Sequence, residues 1–139
     1  MYIKIYNLIP DAAREIRTEV FVVEQGFIYE FDEIDNEATH FVIYNESDIP
    51  VGTCRVFKGD EPNIYILGRL AVLKIYRYNG YGKMIVEEAE KYIKSICGEC
   101  LMLHSQCSKK DFYKNLGYIE FGDVEYEEDC PHIWMKKYL

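Results

Sequence analysis

The segment Arg77-Tyr78-Asn79-Gly80-Tyr81-Gly82 constrains the fold more than any other stretch of this chain. It stands between an apolar run, Tyr65 to Leu73, and a strongly periodic segment, Gly82 to Ile96. In that segment Ile85, Ala89, Tyr92, Ile93 and Ile96 form one apolar stripe, and Glu87–Lys91 and Glu90–Lys94 are i,i+4 pairs in the favoured order. The order is therefore strand, glycine-rich turn, helix. A turn of this kind holds anions: the free N–H groups of the first helical turn point at the ligand, and the helix dipole favours negative charge. Gly80 and Gly82 let phosphate oxygens approach the backbone, and Arg77 adds a planar cationic fork. The spacing argues against two common phosphate sites. A Walker loop needs Gly-Lys-Ser/Thr, whereas Gly82 is followed by Lys83-Met84, and a dinucleotide fingerprint needs a third glycine where Ile85 stands.

The rest of the chain reads as a single compact domain over residues 1–139, with 49% hydrophobic residues and no linker, repeat or low-complexity tract. Tyr2 to Tyr6 alternates like a strand. Pro10 and Asp11 open an amphipathic helix through Ala12, Ile16, Val20 and Val23, which Gly26 ends. His40 to Tyr44 and Val51 to Phe57 read as a hairpin, and Asn63 to Leu73 as a long strand. After the Gly82 helix, with Gly98 as its C-cap, come a short buried strand Leu101 to His104 and a short helix Asp111 to Leu116. Tyr118 to Phe121 and Ile133 to Lys137 are the last strands, with Asp123 to Asp129 between them as an acidic loop. This order predicts a mixed sheet with helices packed on it.

Charge and cysteine usage narrow the partners. A formal net charge of −8 without a lysine or arginine stripe argues against nucleic acid. No apolar run approaches the ~20 residues that span a bilayer, and the N-terminus has no signal-peptide core, so a cytoplasmic protein with no membrane partner is expected. Five cysteines in such a chain argue against a disulfide framework. Cys97-Gly-Glu-Cys100 lacks a placed fourth ligand for zinc and straddles a helix end, so reduced thiols and no metal are expected.

Arg-x-x-Gly-x-Gly after a strand and before a helix resembles the acyl-coenzyme A pyrophosphate loop of the GNAT acetyltransferase family. Three further segments carry the resemblance over nearly the whole chain. Leu67-Gly68-Arg69-Leu70-Ala71-Val72-Leu73 looks like the family's bulged fourth strand, and Phe112-Tyr113-Lys114-Asn115-Leu116-Gly117-Tyr118 matches its Phe-Tyr-x-x-Leu-Gly-Phe/Tyr segment. Pro131-His132-Ile133-Trp134-Met135, with Val22-Val23-Glu24-Gln25 and His40-Phe41-Val42, resembles the small ElaA-like and glyphosate-acetyltransferase-like branch. Tyr78 departs from the family, which often has glycine there, and Lys83 occupies a variable position.

The resemblance implies the family's fold, an α+β, three-layer arrangement of a mixed, mostly antiparallel sheet with helices on both faces. It implies an acetyl-CoA-dependent N-acetyltransferase acting by direct transfer on a primary amine, a small molecule or a peptide, and by analogy with relatives a homodimer. It implies coenzyme contacts from Leu70, Ala71 and Val72, from Arg77, Tyr78, Asn79, Gly80, Tyr81, Gly82 and Lys83, and from Ser108, Phe112 and Tyr113. It implies Tyr113 as the acid that protonates the departing thiolate, and His132 as the base, an imidazole suited to proton exchange near neutrality. Glu24 is expected to meet a substrate ammonium and Arg69 an acidic group of the acceptor, whereas Arg55 reads as internally paired and His40 and His104 as structural. Ser108 fits an N-cap equally well. Two alternatives stand beside this: a catalytically silent acyl-CoA-binding sensor of the same fold, and a nucleotide-binding protein.

Overall fold

The computed structural model describes residues 1–139 and contains one seven-stranded sheet in the order β1-β2-β3-β4-β5-β7-β6. The strands are β1 (Tyr2–Tyr6), β2 (Thr39–Tyr44), β3 (Pro50–Lys58), β4 (Ile64–Val72), β5 (Cys100–Gln106), β6 (Ile119–Glu127) and β7 (Cys130–Tyr138). Only β4 and β5 run parallel, joined by the crossover helix α2 (Tyr81–Ser95); every other neighbouring pair is antiparallel. Helix α1 (Asp11–Arg17) packs Ala13 and Ile16 on Val42 and Ala71 at one face. Helix α2 and the short α3 (Lys110–Asn115) bury Ile85, Ala89, Ile93 and Tyr113 at the other, against Phe41, Val56, Leu67, Leu103 and Met135. The predicted three-layer α+β arrangement is therefore the one found.

Three local predictions need correcting. The first helix does not continue as α-helix to Gly26: Thr18–Glu24 is a π-helix, with Gln25 N–H reaching back to Val20 O. Gly26, at φ +79°, does terminate it. Gly98 is not the left-handed cap of α2. Cys97 takes that conformation at φ +66°, and the N–H groups of Cys97 and Gly98 close on Lys94 O and Ile93 O in a Schellman arrangement. Gly98 is needed for space, because a Cβ there would overlap Ile93 Cγ2. The acidic stretch after Phe121 is not a loop. It continues β6 to Glu127, and only Glu128 and Asp129, both at positive φ, make the turn into β7.

Candidate active site

Strands β4 and β5 pair only from Ile64–Leu67 with Cys100–Leu103, although they extend to Val72 and Gln106. Past that point they part, and the sheet opens into a cleft of about 620 Å³. The cause is an extra residue in β4. Arg55 pairs with Gly68 but Thr53 pairs with Ala71, and Arg69 sits in the bulge at φ +53°. A left-handed arginine is strained, and its side chain is anchored to offset this: Nε donates to the Glu30 carbonyl at 3.1 Å and lies 3.0 Å from the Glu30 carboxylate. Leu70, Ala71 and Val72 line the cleft beyond the last β4–β5 pair, where no neighbouring strand covers them on the β5 side.

At one end of the cleft lies the glycine-rich turn. Tyr78 (φ +66°) and Gly80 (φ +82°) are both left-handed, and Asn79 braces the turn by donating to the carbonyls of Tyr76 and Arg77 at 3.0 and 3.2 Å. No backbone N–H from Tyr78 to Lys83 is used in a protein hydrogen bond, which leaves a run of donors at the N-terminus of α2. Arg77, Tyr78, Gly80, Tyr81, Gly82 and Lys83 line the cleft, with the Tyr78 side chain fully exposed, whereas Asn79 is not among the lining residues. Gly82 has a reason the sequence did not reveal: a Cβ there would meet the Phe112 ring at 3.2 Å. The Arg77 fork is already engaged. Its two Nη atoms donate to the Glu24 carboxylate at 2.7 Å each, and Nε donates to Val72 O at 2.8 Å.

That pairing relocates Glu24. It lies beside a neighbouring hollow with Ser108 and Lys109, not among the residues lining the main cleft. The Arg77 hydrogen bonds outweigh burial and hold the Glu24 carboxyl below its ordinary range. Ser108 does not cap α3, whose N-cap is Lys109 without a side-chain bond. Arg69, expected to meet an acidic acceptor, is paired with Glu30 and Asp32. These belong to a polar network in the wall of the cleft. Arg17 bonds Glu30 and Asp35, and Arg55 bonds Asp32 and Asp35, at 2.6–3.1 Å. Burial opposes the charge on Asp35, but hydrogen bonds from Arg17 and Arg55 overcome it and hold that carboxyl far below the usual range.

Tyr113 lies in the floor of the cleft, 8% exposed, with Phe112 and Tyr118 edge-on to its ring. Burial drives its hydroxyl pKa up, so it stays protonated throughout the working range. Cys54, fully buried nearby, is likewise pushed up and is inert as a nucleophile.

Opposite the turn, His132 also lines the cleft, its ring almost buried. Nδ1 is 2.8 Å from the Cys130 carbonyl, an acceptor only, so that nitrogen carries the proton. Nε2 lies 3.2 Å from Glu127 Oε2. The same oxygen is 3.0 Å from His104 Nδ1, and the His104 ring stacks on Trp134 at 4.7 Å. His104, expected to be structural, faces the cleft, and so does Glu127, which the sequence reading does not single out. The signal was present in Glu125-Tyr126-Glu127, a strand-like alternation ending at an Glu128-Asp129 turn.

A sheet that splits where β4 and β5 part, with a cradle of unpaired N–H groups beside the split, is the arrangement of the acyl-CoA N-acyltransferase fold. The sequence profile of the acetyltransferase (GNAT) domain matches residues 13–139, and the chain belongs to that family. It is 34% identical over 125 residues to YjcF, an uncharacterized N-acetyltransferase of Bacillus subtilis (strain 168), covering 88% of this chain and 87% of that one. The crystal structure of Escherichia coli ElaA superposes with a TM-score of 0.83 at 25% identity, covering 98% of this chain and 99% of that one. An aminoglycoside 6′-N-acetyltransferase solved with coenzyme A shares the fold at 19% identity and a TM-score of 0.77, covering 99% and 97%. No helix is long and apolar enough to cross a membrane.

Proposed function

We propose that this chain is an acetyl-CoA-dependent N-acetyltransferase that moves the acetyl group directly onto a primary amine of a small molecule or peptide. The observation that carries this reading is the single cleft joining the unpaired N–H groups at the start of α2, the free edge of β4 and the Tyr113 side chain. The turn would hold the pyrophosphate through Gly80, Tyr81, Gly82 and Lys83, with Tyr78 and Asn79 giving main-chain support. The amide-rich pantetheine arm would add to β4 at Leu70, Ala71 and Val72 as an extra strand, leading the thioester to the point where β4 and β5 part.

The acetyl carbonyl would then be polarised by a β4 N–H donor as its oxygen gains charge. Tyr113 would protonate the leaving sulfur. Burial raises the hydroxyl pKa, but it also makes a desolvated thiolate more basic, so the two remain matched. His132, with Nδ1–H fixed by a carbonyl, presents Nε2 as the base for the amine.

Calorimetry with acetyl-CoA, paired with a thiol-release assay over a panel of amines, tests this. Binding together with amine-dependent thiol release is expected. Binding without release on any amine favours an acyl-CoA-binding domain, and a thermal shift with ATP or NAD but none with coenzyme A overturns the reading altogether.

A further inference from the structure

Resting on the acetyltransferase reading, we propose that Glu127 is the positioning residue of the proton-accepting step: its carboxylate, held in place by His104, stabilises the imidazolium that forms on His132 and draws the acceptor ammonium towards it. Three observations converge. One carboxylate oxygen serves both imidazoles, 3.0 Å from His104 Nδ1 and 3.2 Å from His132 Nε2. The two rings lie 5.0 Å apart, and His104 is in turn fixed by its stack on Trp134. The Glu127–His132 contact is a close approach of charge that lies off the hydrogen-bond line, so the in-plane lone pair of Nε2 is not committed to Glu127.

The chemistry follows from which atoms can carry protons. His132 Nδ1 faces a carbonyl and keeps its hydrogen, so an incoming proton can only go to Nε2. When it does, the N–H bond of the ammonium breaks, its electron pair stays on the amine nitrogen, and the Nε2–H bond forms. The His132–Glu127 pair passes from one negative charge to none. With glutamine at 127 it would pass from neutral to a lone cation in a largely desolvated ring. The other groups facing this cluster are Glu125 from β6, whose Oε1 accepts from Trp134 Nε1 and lies 3.4 Å from His104 Nε2, and the Cys130 thiol near Glu127, which has Cys107 close to it in turn. Glu128, beside Glu127, is spent on the backbone N–H groups of Ile28 and Tyr29. Among the carboxylates, only Glu127 touches both imidazoles.

The test is the pH dependence of amine kcat/KM in the wild-type chain and in Glu127→Gln, Glu127→Asp and His104→Phe. Losing the negative charge should move the acid limb of the Glu127→Gln profile about one unit towards lower pH and lower its plateau about tenfold. The acetyl-CoA KM should stay within about twofold, because no coenzyme contact is touched. Glu127→Asp should return part of the way. His104→Phe keeps the stack on Trp134 but frees the carboxylate, and should move the limb in the same direction by less. Glu127 is half exposed, so its substitution does not threaten folding. Wild-type transfer with an unmoved limb in Glu127→Gln overturns this inference alone. Loss shared equally between amine and acetyl-CoA parameters also overturns it. Failure of the wild type to acetylate any amine overturns the acetyltransferase reading and this inference with it.

Discussion

Two clusters of opposite charges border the same cleft, and they differ in completeness. In the first, Arg17, Arg55 and Arg69 meet Glu30, Asp32 and Asp35, mostly buried, and Arg55 Nε is the one buried side-chain donor of the three arginines without a partner. In the second, His104 and His132 share one oxygen of a half-exposed carboxylate, and His104 Nε2 has no hydrogen-bond partner. The first is closed: moving a proton or side chain there strands a buried charge. The second keeps spare hydrogen-bonding capacity at the edge of the cleft. Both clusters are rich in ionisable groups, so charge density alone does not mark function; unfilled hydrogen-bonding capacity next to open space does.

The largest expected effect breaks the closed cluster. Arg17→Met leaves Glu30 and Asp35 without their shared partner and should cost about 3–5 kcal/mol in urea unfolding. A cost below about 1 kcal/mol would mean that the network is not the rigid element described here. Acid should attack the same place. The Asp35 carboxyl, held below its unfolded value by Arg17 and Arg55, contributes stability that is present above the ordinary carboxylate range and lost as pH falls through its folded value. Asp32, lowered by Arg55 and Arg69 against burial, acts the same way, while Glu30, raised by burial, works in the opposite sense. Thermal unfolding followed downward from pH 5 should therefore show a falling Tm, and Arg17→Met should flatten that fall.

In the open half of the cleft, Tyr113→Phe should lower kcat about 100-fold, or about 2.7 kcal/mol of transition-state stabilisation, with acetyl-CoA binding changed less than about twofold. Equal losses in turnover and binding would make the ring a packing element like Tyr118, whose hydroxyl is tied to Glu90 at 2.8 Å. The smallest effect sits at the boundary. Glu24→Gln removes a partly exposed ion pair and should change stability by less than about 1 kcal/mol. It also frees the Arg77 fork, so coenzyme A should bind about threefold tighter, by calorimetry, if that fork turns to phosphate. Weaker binding would show instead that the Glu24 pair serves to hold the turn in shape.

Local chemistry made much of this legible. The strand-turn-helix at Arg77–Gly82 carries its own signals, and α2 was found within a residue of its ends because its apolar stripe is unbroken. Glu127 does not stand out in the sequence because Asp123 to Asp129 is acid-rich, and Gly122 and the irregular register after Phe121 hide the alternation that continues β6. The ion pairs of Glu24 and Arg69 are not legible in the sequence, because a lone charged residue on a helix end or strand says nothing about who faces it. Their partners, Arg77 and Glu30, lie 53 and 39 positions away along the chain.

The residues alone determined the alternation of strands and helices, the donor-rich turn and the tyrosine that follows it, because each is a property of a few consecutive positions. The tertiary structure decided who neutralises whom: that three arginines are sealed against three carboxylates, that Glu24 closes on Arg77, and that two histidines from separate strands converge on one oxygen. Pairing across the sheet depends on register and on the bulge at Arg69, and both arise only when distant segments pack together.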